Sequence, residues 1–238
     1  MDGRALHLIL LAGGRSRRAT GEGDVPTQFR VTGRGPLFAV SLGEFLSLNS
    51  QAVGRPADLV VTVPDDWRAT AEEALADLEL PWTLAPAGTS RTASTWNAAA
   101  ACADRFGPAA ADLVAVHDAA RPFASASLLE RLVAAADRSG AAVPGVPVPD
   151  TIVQDGTEGA RYLERSSLVA VQTPQVFRWD VFHAAHAWAA ESGVEFTDDG
   201  GLLAARGQAP DVVPGEPGIW KVTTAADWRR AEALLKSS

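Results

Sequence analysis

The chain has 238 residues, of which 47% are hydrophobic, and this suits one globular domain with a sizeable core. Its formal net charge of −8 argues against a general binder of nucleic acids or membrane surfaces, which usually presents a net basic face to phosphates, so any bound anion needs a local cluster of arginines and lysines. The single cysteine, Cys102, cannot form a disulfide within one chain and fits a reducing cytoplasm, where we expect the protein to act.

Short strands and helices alternate along most of the chain. Four apolar, β-branched runs predict buried strands, and these are LHLILLA from Leu6, DLVVTVP from Asp58, DLVAVHD from Asp112 and AAVPGVPV from Ala141. Helical spacing is clearest in WRATAEEALADLEL from Trp67 and in SASLLERLVAAADRSG from Ser125, which opens on an N-capping serine and closes near Gly140. The alternation predicts an α/β fold over residues 1–238, with a mostly parallel sheet covered on both faces.

The first predicted strand ends in the sequence AGGRSRR, which combines a tight turn with positive charge. Small residues let backbone N–H groups approach an anion, and the arginines supply charge. The residues concerned are Ala12, Gly13 and Gly14, followed by Arg15, Arg17 and Arg18. The apolar run before them is too short to span a bilayer, so no membrane segment is predicted. The motif matches neither a Walker A loop nor a dinucleotide-binding turn, and by itself it also fits a turn with solvated arginines.

A second polar motif, VHDAARPF, follows the strand that begins near Asp112. An aspartate at the carboxyl end of a strand can hold a hydrated Mg²⁺ beside phosphates that a nearby arginine clamps. Asp118 and Arg121 could instead form a structural ion pair at a loop edge. Because ligands of such sheets bind beyond the carboxyl ends of the strands, where both motifs fall, a nucleoside triphosphate site is the better interpretation.

The carboxyl-terminal half departs from the alternation. Two extended pieces around DGTEG predict a projecting β-hairpin arm over residues 149–167, and because an isolated hairpin is marginal in water, we expect it to pack on another subunit. Further on, KVTTAADWRRAEALL predicts a short strand from Lys221 and then a threonine-capped terminal helix. His183 and His186 have a helical spacing that suits metal ligation, but no third ligand is evident nearby, so no metal site is predicted there.

Taken in order, the motifs resemble those of the 2-C-methyl-D-erythritol 4-phosphate cytidylyltransferases of the non-mevalonate isoprenoid pathway, over nearly the whole chain. The resembling pieces are LLAGGRSRR with VPTQF, AGTSRTAS, VHDAARP, VPDTI, LERSSLVAVQTPQVF, FTDDGGLL and IWKVTTAADWRRAEALL. The resemblance implies a Rossmann-like nucleotidyltransferase that uses Mg²⁺, acts as a homodimer and transfers CMP from CTP to the sugar-alcohol phosphate, releasing pyrophosphate. Ribitol 5-phosphate, another polyol phosphate or a phosphonate is the alternative acceptor.

The resemblance also implies a role for each matching residue. On the nucleotide side, the phosphates would be bound by Ala12, Gly13, Gly14 and Arg15, the cytosine by Gly88 and Ser94, and the pentavalent phosphorus by Arg18. On the acceptor side, Asp118 would hold the metal and, with Arg121, contact the sugar phosphate, while Lys221 would position the acceptor for attack. Thr151 and Arg165 of the hairpin would reach into the neighbouring subunit's site and grip the substrate phosphate.

Position 27 departs from the family pattern. The family has a catalytic lysine between this proline and glutamine, whereas Thr27 keeps a hydrogen-bond donor but removes the charge. Arg15, Arg17 and Arg30 lie close in sequence and are candidate replacements, of which we favour Arg15. If all three are solvated surface charges instead, the chain fits a catalytically weakened paralogue that binds nucleotide.

Overall fold

A computed structural model of the protein describes residues 3–14, 25–157 and 159–237. The described residues form a central eight-stranded sheet of order β10-β7-β11-β6-β1-β4-β5, with β12 paired to β7. Its strands are β1 Leu6–Leu11, β4 Asp58–Val63, β5 Trp82–Pro86, β6 Leu113–Asp118, β7 Ala141–Pro147, β10 Val169–Val171, β11 Gln175–Arg178 and β12 Asp211–Pro214. Strands β2 Val31–Thr32 and β3 Gly35–Pro36 pair with each other as a separate two-stranded sheet. The helices are α1 Leu37–Leu46, α2 Arg68–Leu75, α3 Arg91–Phe106, α4 Ala126–Ser139, α5 Trp179–Ser192, α6 Asp199–Ala205 and α7 Ala225–Ser237. None of the described helices is both long and apolar enough to cross a membrane.

The central strands are parallel and buried on both faces, as their continuous apolar sequences predict. β1 lies between β4 and β6, and β5 pairs with the outer side of β4, all in parallel. Side chains alternate along β1, so that Leu8 and Leu10 pack with α1, α2 and α4 while Ile9 packs with α3 and α5 on the opposite face. The four strands predicted from sequence are confirmed, and the fold is the predicted mostly parallel α/β fold.

The capping residues predicted for α4 mark its ends, whereas the helix predicted from Trp67 needs a correction. Ser125 caps α4 by accepting a hydrogen bond from the Leu128 N–H, and Gly140 ends the helix with φ +87°, as predicted. The helix predicted from Trp67 is shorter than expected, because it begins after a 3-10 turn at Asp65–Trp67 and ends at Leu75. Its two remaining leucines, at positions 78 and 80, pack against the core from the loop that leads into β5.

The strand predicted from Lys221 is wrong. The strand in this region is β12, which pairs in parallel with β7. The segment around Lys221 is held by single hydrogen bonds, such as that from the Val222 N–H to the Ala120 carbonyl at 2.8 Å, so it forms no ladder. The threonine cap of α7 is confirmed, because the Thr224 hydroxyl accepts from the Asp227 N–H at 3.1 Å.

Helix α7 packs over two segments that lie far apart in sequence. Val222 shares an apolar cluster with Leu37 of α1 and with Trp228, Ala231 and Leu235 of α7. On the same helix, the Trp228 ring lies beneath the Arg30 guanidinium, 4.2 Å from the ring centroid. The terminal helix therefore contacts both the end of the Thr27–Phe29 turn and the segment that carries Lys221.

The predicted hairpin is also present in the described residues. Strands β8, Val153–Gly156, and β9, Gly159–Tyr162, pair in antiparallel register as a separate two-stranded sheet. Every residue of both strands is exposed. The dimerisation role of the arm, residues 149–167, stays a prediction.

A buried ionic cluster lies at the amino-terminal edge of the sheet, opposite the carboxyl ends of the strands. His7 Nδ1 is 2.7 Å from Asp58 Oδ2, and its Nε2 is 3.4 Å from Asp112 Oδ2. Burial opposes protonation of the ring, but the two carboxylates outweigh it and raise the pKa of His7 above 6.5. Asp112 also accepts the Ala5 and Ala109 N–H groups, which, with His7, hold its pKa below the ordinary value despite the opposing effect of burial.

This cluster predicts a pH-dependent contribution to stability. Because the folded-state pKa of His7 is raised, its stabilisation is fully present below the ordinary pKa of 6.5 and is lost as the pH rises through the folded-state value. We expect His7→Gln to lower the free energy of unfolding by about 3 kcal/mol at acidic pH and by progressively less at alkaline pH. Urea unfolding across this pH range measures the difference. His183→Gln is the matched control, because His183 packs between Trp96 and Trp179, and a cost of His7→Gln that does not vary with pH would contradict the prediction.

Candidate active site

A cavity of about 850 Å³ opens beyond the carboxyl ends of β1, β4, β5 and β6. Parallel strands converge there, and the loops that follow them form its walls. The two polar motifs that were predicted to meet do meet, since Gly13, Gly14 and Asp118 all line the cavity and Leu11 pairs with Asp118 on the adjacent strand. The charged residues lining the described cavity are Asp65, Asp66, Arg91, Asp118 and Lys221.

The glycine turn after β1 is fixed from beneath by Gln28. The Ala12 N–H donates to the Thr62 carbonyl at 3.1 Å and continues the sheet, so this N–H is not directed at a ligand. The Gln28 side-chain amide donates to the carbonyls of Ala12 at 2.6 Å and Gly14 at 2.5 Å. A Cβ on Gly13 would lie 2.8 Å from the Ala87 Cβ, which is why this turn needs a glycine. The role of Gln28 was not predicted from the sequence.

Ser94 organises the loop that precedes α3. Its hydroxyl donates to the Ser90 carbonyl at 2.8 Å and accepts from the Gly88 N–H at 2.9 Å. Gly88 lies so close to the helix that an added Cβ would be 2.6 Å from backbone atoms of Ala93 and Ser94. The Ser90 side chain caps α3 by accepting the Ala93 N–H at 3.1 Å. The loop and the amino terminus of α3 are thus held as one wall of the cavity.

Asp118 is the centre of charge in the site. The Lys221 ammonium lies 2.9 Å from its Oδ2, and the Nε atoms of Arg91 and Arg121 lie 3.6 Å from Oδ1 and Oδ2 respectively. Burial would raise the pKa of this carboxyl, but the three cations outweigh it and hold the pKa well below its usual range. Asp118 is therefore ionised at any pH at which the protein works.

His117 and Thr173 fix the backbone around this carboxylate. The Thr173 hydroxyl accepts the Asp118 N–H at 3.1 Å and donates to His117 Nδ1, also at 3.1 Å. The other ring nitrogen of His117 donates to the Arg121 carbonyl at 3.0 Å. Burial lowers the pKa of His117 to about 4, so the ring is neutral and this set of bonds is stable at neutral pH.

Asp118, the predicted metal ligand, does not fit a directly bound Mg²⁺. Magnesium needs near-octahedral oxygen ligands and usually takes one or two carboxylates together with phosphate oxygens and water. Both oxygens of Asp118 already face cations, so a metal bound directly by Asp118 would have to displace Arg91, Lys221 or Arg121. No step of the chemistry is therefore assigned to a metal held by this aspartate.

The structure brings most of the predicted site residues together. Those that line the cavity are Gly13, Gly14, Thr27, Gly88, Ser94, Asp118 and Lys221, while Ala12 lies buried beneath it and Arg121 contacts Asp118. Thr151 and Arg165 lie instead beside the exposed hairpin, where the Arg165 guanidinium donates to the Pro149 carbonyl at 2.7 Å. Arg15, Arg17 and Arg18 lie outside the described residues.

Two arginines, Arg30 and Arg91, bear on which cation could replace the family lysine at position 27. Arg30 was a candidate replacement for the family lysine, but its guanidinium packs on Trp228 and it does not line the cavity. Arg91 was not predicted, although it lies within the quoted AGTSRTAS motif, and it lines the cavity with a side chain that is 20% exposed. Nothing in its sequence context separates it from a solvated residue in the first turn of a helix.

Comparison with known proteins assigns this arrangement to a family. The sequence profile described as IspD, 2-C-methyl-D-erythritol 4-phosphate cytidylyltransferase, matches residues 6–237. The chain belongs to this family. It is 40% identical over 240 residues to the "Bifunctional enzyme IspD/IspF" of Anaeromyxobacter dehalogenans, covering 96% of this chain and 56% of that protein. The chain thus spans little more than half the length of such curated relatives.

Solved structures of the family share the fold. The crystal structure of 2-C-methyl-D-erythritol 4-phosphate cytidylyltransferase from Thermus thermophilus is 31% identical, with a TM-score of 0.73, and the match covers 96% of this chain and 98% of that one. The 4-diphosphocytidyl-2C-methyl-D-erythritol synthase from Anaerococcus prevotii has a TM-score of 0.81 with coverages of 99% and 97%, but at 21% identity it supports the fold alone.

The close approach of Gly88 predicts a large effect of one methyl group. We expect Gly88→Ala to lower the free energy of unfolding by about 1–3 kcal/mol, because its Cβ overlaps backbone atoms that cannot move without displacing α3. Gly43→Ala is the matched control, since Gly43 is exposed in α1 with open space around its Cα, and it should raise stability by about 0.5–1 kcal/mol. Urea unfolding of both variants tests this. Equal changes in the free energy of unfolding would contradict the prediction, because they would show that the loop around Gly88 moves to accept the methyl group.

Proposed function

We propose that the protein is a cytidylyltransferase that transfers CMP from CTP to 2-C-methyl-D-erythritol 4-phosphate and releases pyrophosphate. The observation that carries the proposal is the cavity of this family member, which the glycine turn, Asp118 and Lys221 all line beyond the carboxyl ends of the strands. A turn of this kind suits phosphates, and the lysine suits a second anion.

The chemistry requires alignment and charge compensation more than a protein nucleophile. An oxygen of the acceptor phosphate attacks the α-phosphorus of CTP, the new P–O bond forms as the bond to the β-phosphate oxygen breaks, and pyrophosphate leaves with the electron pair. The acceptor phosphate is already ionised near neutral pH, since its second pKa is about 6, so no general base is needed. Repulsion between two anions is the main obstacle, and positioned cations such as Lys221 lower it.

Several further properties belong to the same proposal. The triphosphate would carry Mg²⁺, which would supply partial neutralisation of its charge. The roles of Arg15, Arg18, Thr151 and Arg165 stay as predicted from the family resemblance. Because CTP is a cytoplasmic nucleotide, the enzyme acts in the cytoplasm. Two copies of the chain form the working unit, with the hairpin of one placed against the site of the other.

Because Thr27 lacks the charge of the family lysine, two other functions are also candidates, and an activity assay distinguishes them from the first. One is a cytidylyltransferase for ribitol 5-phosphate, another polyol phosphate or a phosphonate, and the other is a weakened paralogue that binds CTP without turnover. Thr27 lines the cavity and is 1% exposed, so a charge added there would lie next to the bound nucleotide. The effect of such an added charge on kcat therefore shows whether the site lacks a cation.

We expect pyrophosphate release from CTP and Mg²⁺ with 2-C-methyl-D-erythritol 4-phosphate, and little with ribitol 5-phosphate or without acceptor. We expect Thr27→Lys to raise kcat by about tenfold or more, because a cation at the transferring phosphate stabilises the transition state. Thr27→Met, with a side chain of similar reach and no charge, is the control. No release from wild-type protein with any acceptor, despite CTP binding, would favour the paralogue, and a lower kcat of Thr27→Lys would mean that threonine belongs to an altered, working site.

The exposed hairpin predicts that the protein forms a dimer. Tyr162 is 73% exposed and lies opposite Val153, which is 39% exposed, so this small sheet presents an apolar face. We expect wild-type protein to have the mass of a dimer and Tyr162→Asp to shift it towards the monomer, as measured by light scattering after size-exclusion chromatography. Val194→Asp, at an exposed valine after α5, should leave the mass unchanged. A monomeric wild-type protein at micromolar concentration would contradict the dimer.

A further inference from the structure

Asp199, at the start of α6, is a buried acid that has no part in the proposed chemistry. It is 1% exposed, and its Oδ2 accepts a hydrogen bond from Arg91 Nη2 at 2.7 Å. Its Oδ1 lies 3.2 Å from Nε2 of His186, a ring that is also 1% exposed. Burial opposes ionisation, but Arg91 and His186 outweigh it and hold the pKa of Asp199 well below its usual range. A permanent negative charge thus lies behind the cavity wall.

Arg91 connects this buried charge to the active site. One end of its guanidinium donates to Asp199, and Nε at the other end lies 3.6 Å from Asp118 Oδ1. The opposite oxygen of Asp118 lies 2.9 Å from the Lys221 ammonium. Charges of alternating sign therefore run in an unbroken line from Asp199 through Arg91 and Asp118 to Lys221.

The two distances on Arg91 show which acid holds it. The contact with Asp199 is a hydrogen bond, whereas the contact with Asp118 is too long to be one. Asp199 therefore anchors the guanidinium away from Asp118 and leaves that carboxylate to Lys221. Without the charge of Asp199, Arg91 would be free to close on Asp118 as a bidentate pair, and Lys221 would lose the partner that orients it.

We propose that Asp199 is a positioning residue for Lys221, acting through Arg91 and Asp118. It touches neither the reacting phosphates nor Lys221, and it sets the place of the ammonium by restraining the competing cation. The inference rests on the proposed function for its kinetic consequence, while its structural consequence can be measured without turnover.

The kinetic test compares two aspartates that each pair with an arginine. Asp199→Asn keeps the shape of the side chain and removes its charge, and we expect kcat/KM for the acceptor to fall about 10- to 100-fold while the affinity for CTP changes less than about threefold. Asp180→Asn is the matched control, because Asp180 pairs with Arg178 at 2.6 Å on the exposed start of α5, and it should change neither value. Arg91→Lys, whose single ammonium cannot contact both acids, should reproduce the selective loss.

The second test uses the rarity of lysine, since Lys221 and Lys236 are the only lysines in the sequence. Protein labelled with ¹⁵N-lysine therefore gives two side-chain ammonium resonances, which Lys236→Arg assigns. We expect Asp199→Asn to shift the Lys221 resonance and leave Lys236, which pairs with Glu232 at the far end of α7, unchanged. Asp180→Asn should move neither resonance.

The outcomes separate the two proposals. Wild-type protein without pyrophosphate release would count against the proposed function, yet a shifted Lys221 resonance in Asp199→Asn would still support the positioning role. An unchanged Lys221 resonance in folded Asp199→Asn would overturn it, as would a loss of CTP affinity as large as the loss in acceptor kcat/KM. If Asp199→Asn does not fold, Arg91→Lys decides by the kinetic measurements alone, because the lysine it introduces adds a third ammonium resonance, and an unchanged kcat/KM for the acceptor would then overturn the inference.

Discussion

The site depends on one carboxylate held among three cations. Asp118 ends β6, where the parallel strands converge, and the cations around it come from α3, from the loop after β6 and from the segment before α7. A buried carboxylate with a single partner would be costly, but three partners keep it ionised, and it in turn keeps like charges together. Fixing Asp118 by Thr173 and the neutral His117 therefore fixes the relative positions of three loops.

The part of the cavity formed by the glycine turn and the loop before α3 is built by backbone contact instead of charge. Gly13 lies against Ala87, and Gly88 lies against the first turn of α3, at distances that leave no room for a Cβ. Gln28 then holds the turn by donating its side-chain amide to the carbonyls of Ala12 and Gly14. The two sides of the cavity thus use different physical means, close packing on one and ion pairing on the other.

The features that were predicted correctly from the sequence are those that local residue patterns determine. Continuous apolar runs gave the central strands, Ser125 and Gly140 gave the ends of α4, and the strand ends placed Gly13 and Asp118 at one edge of the sheet. The pattern failed at Lys221, where β-branched neighbours suggested a strand, because a tertiary contact with Ala120 and an apolar cluster decide that conformation. Arg91 could not be predicted either, since its partners Asp118 and Asp199 are distant in sequence and only the fold brings them together.

Helix α7 contacts both the segment that follows Thr27 and the segment that carries Lys221. Its Trp228 supports Arg30, which directly follows the Thr27–Phe29 turn, and the same residue packs in the cluster of Val222, the neighbour of Lys221. A tilt of this helix would therefore change the distance between Thr27 and Lys221, and so the width of the cavity, from a position outside the cavity wall.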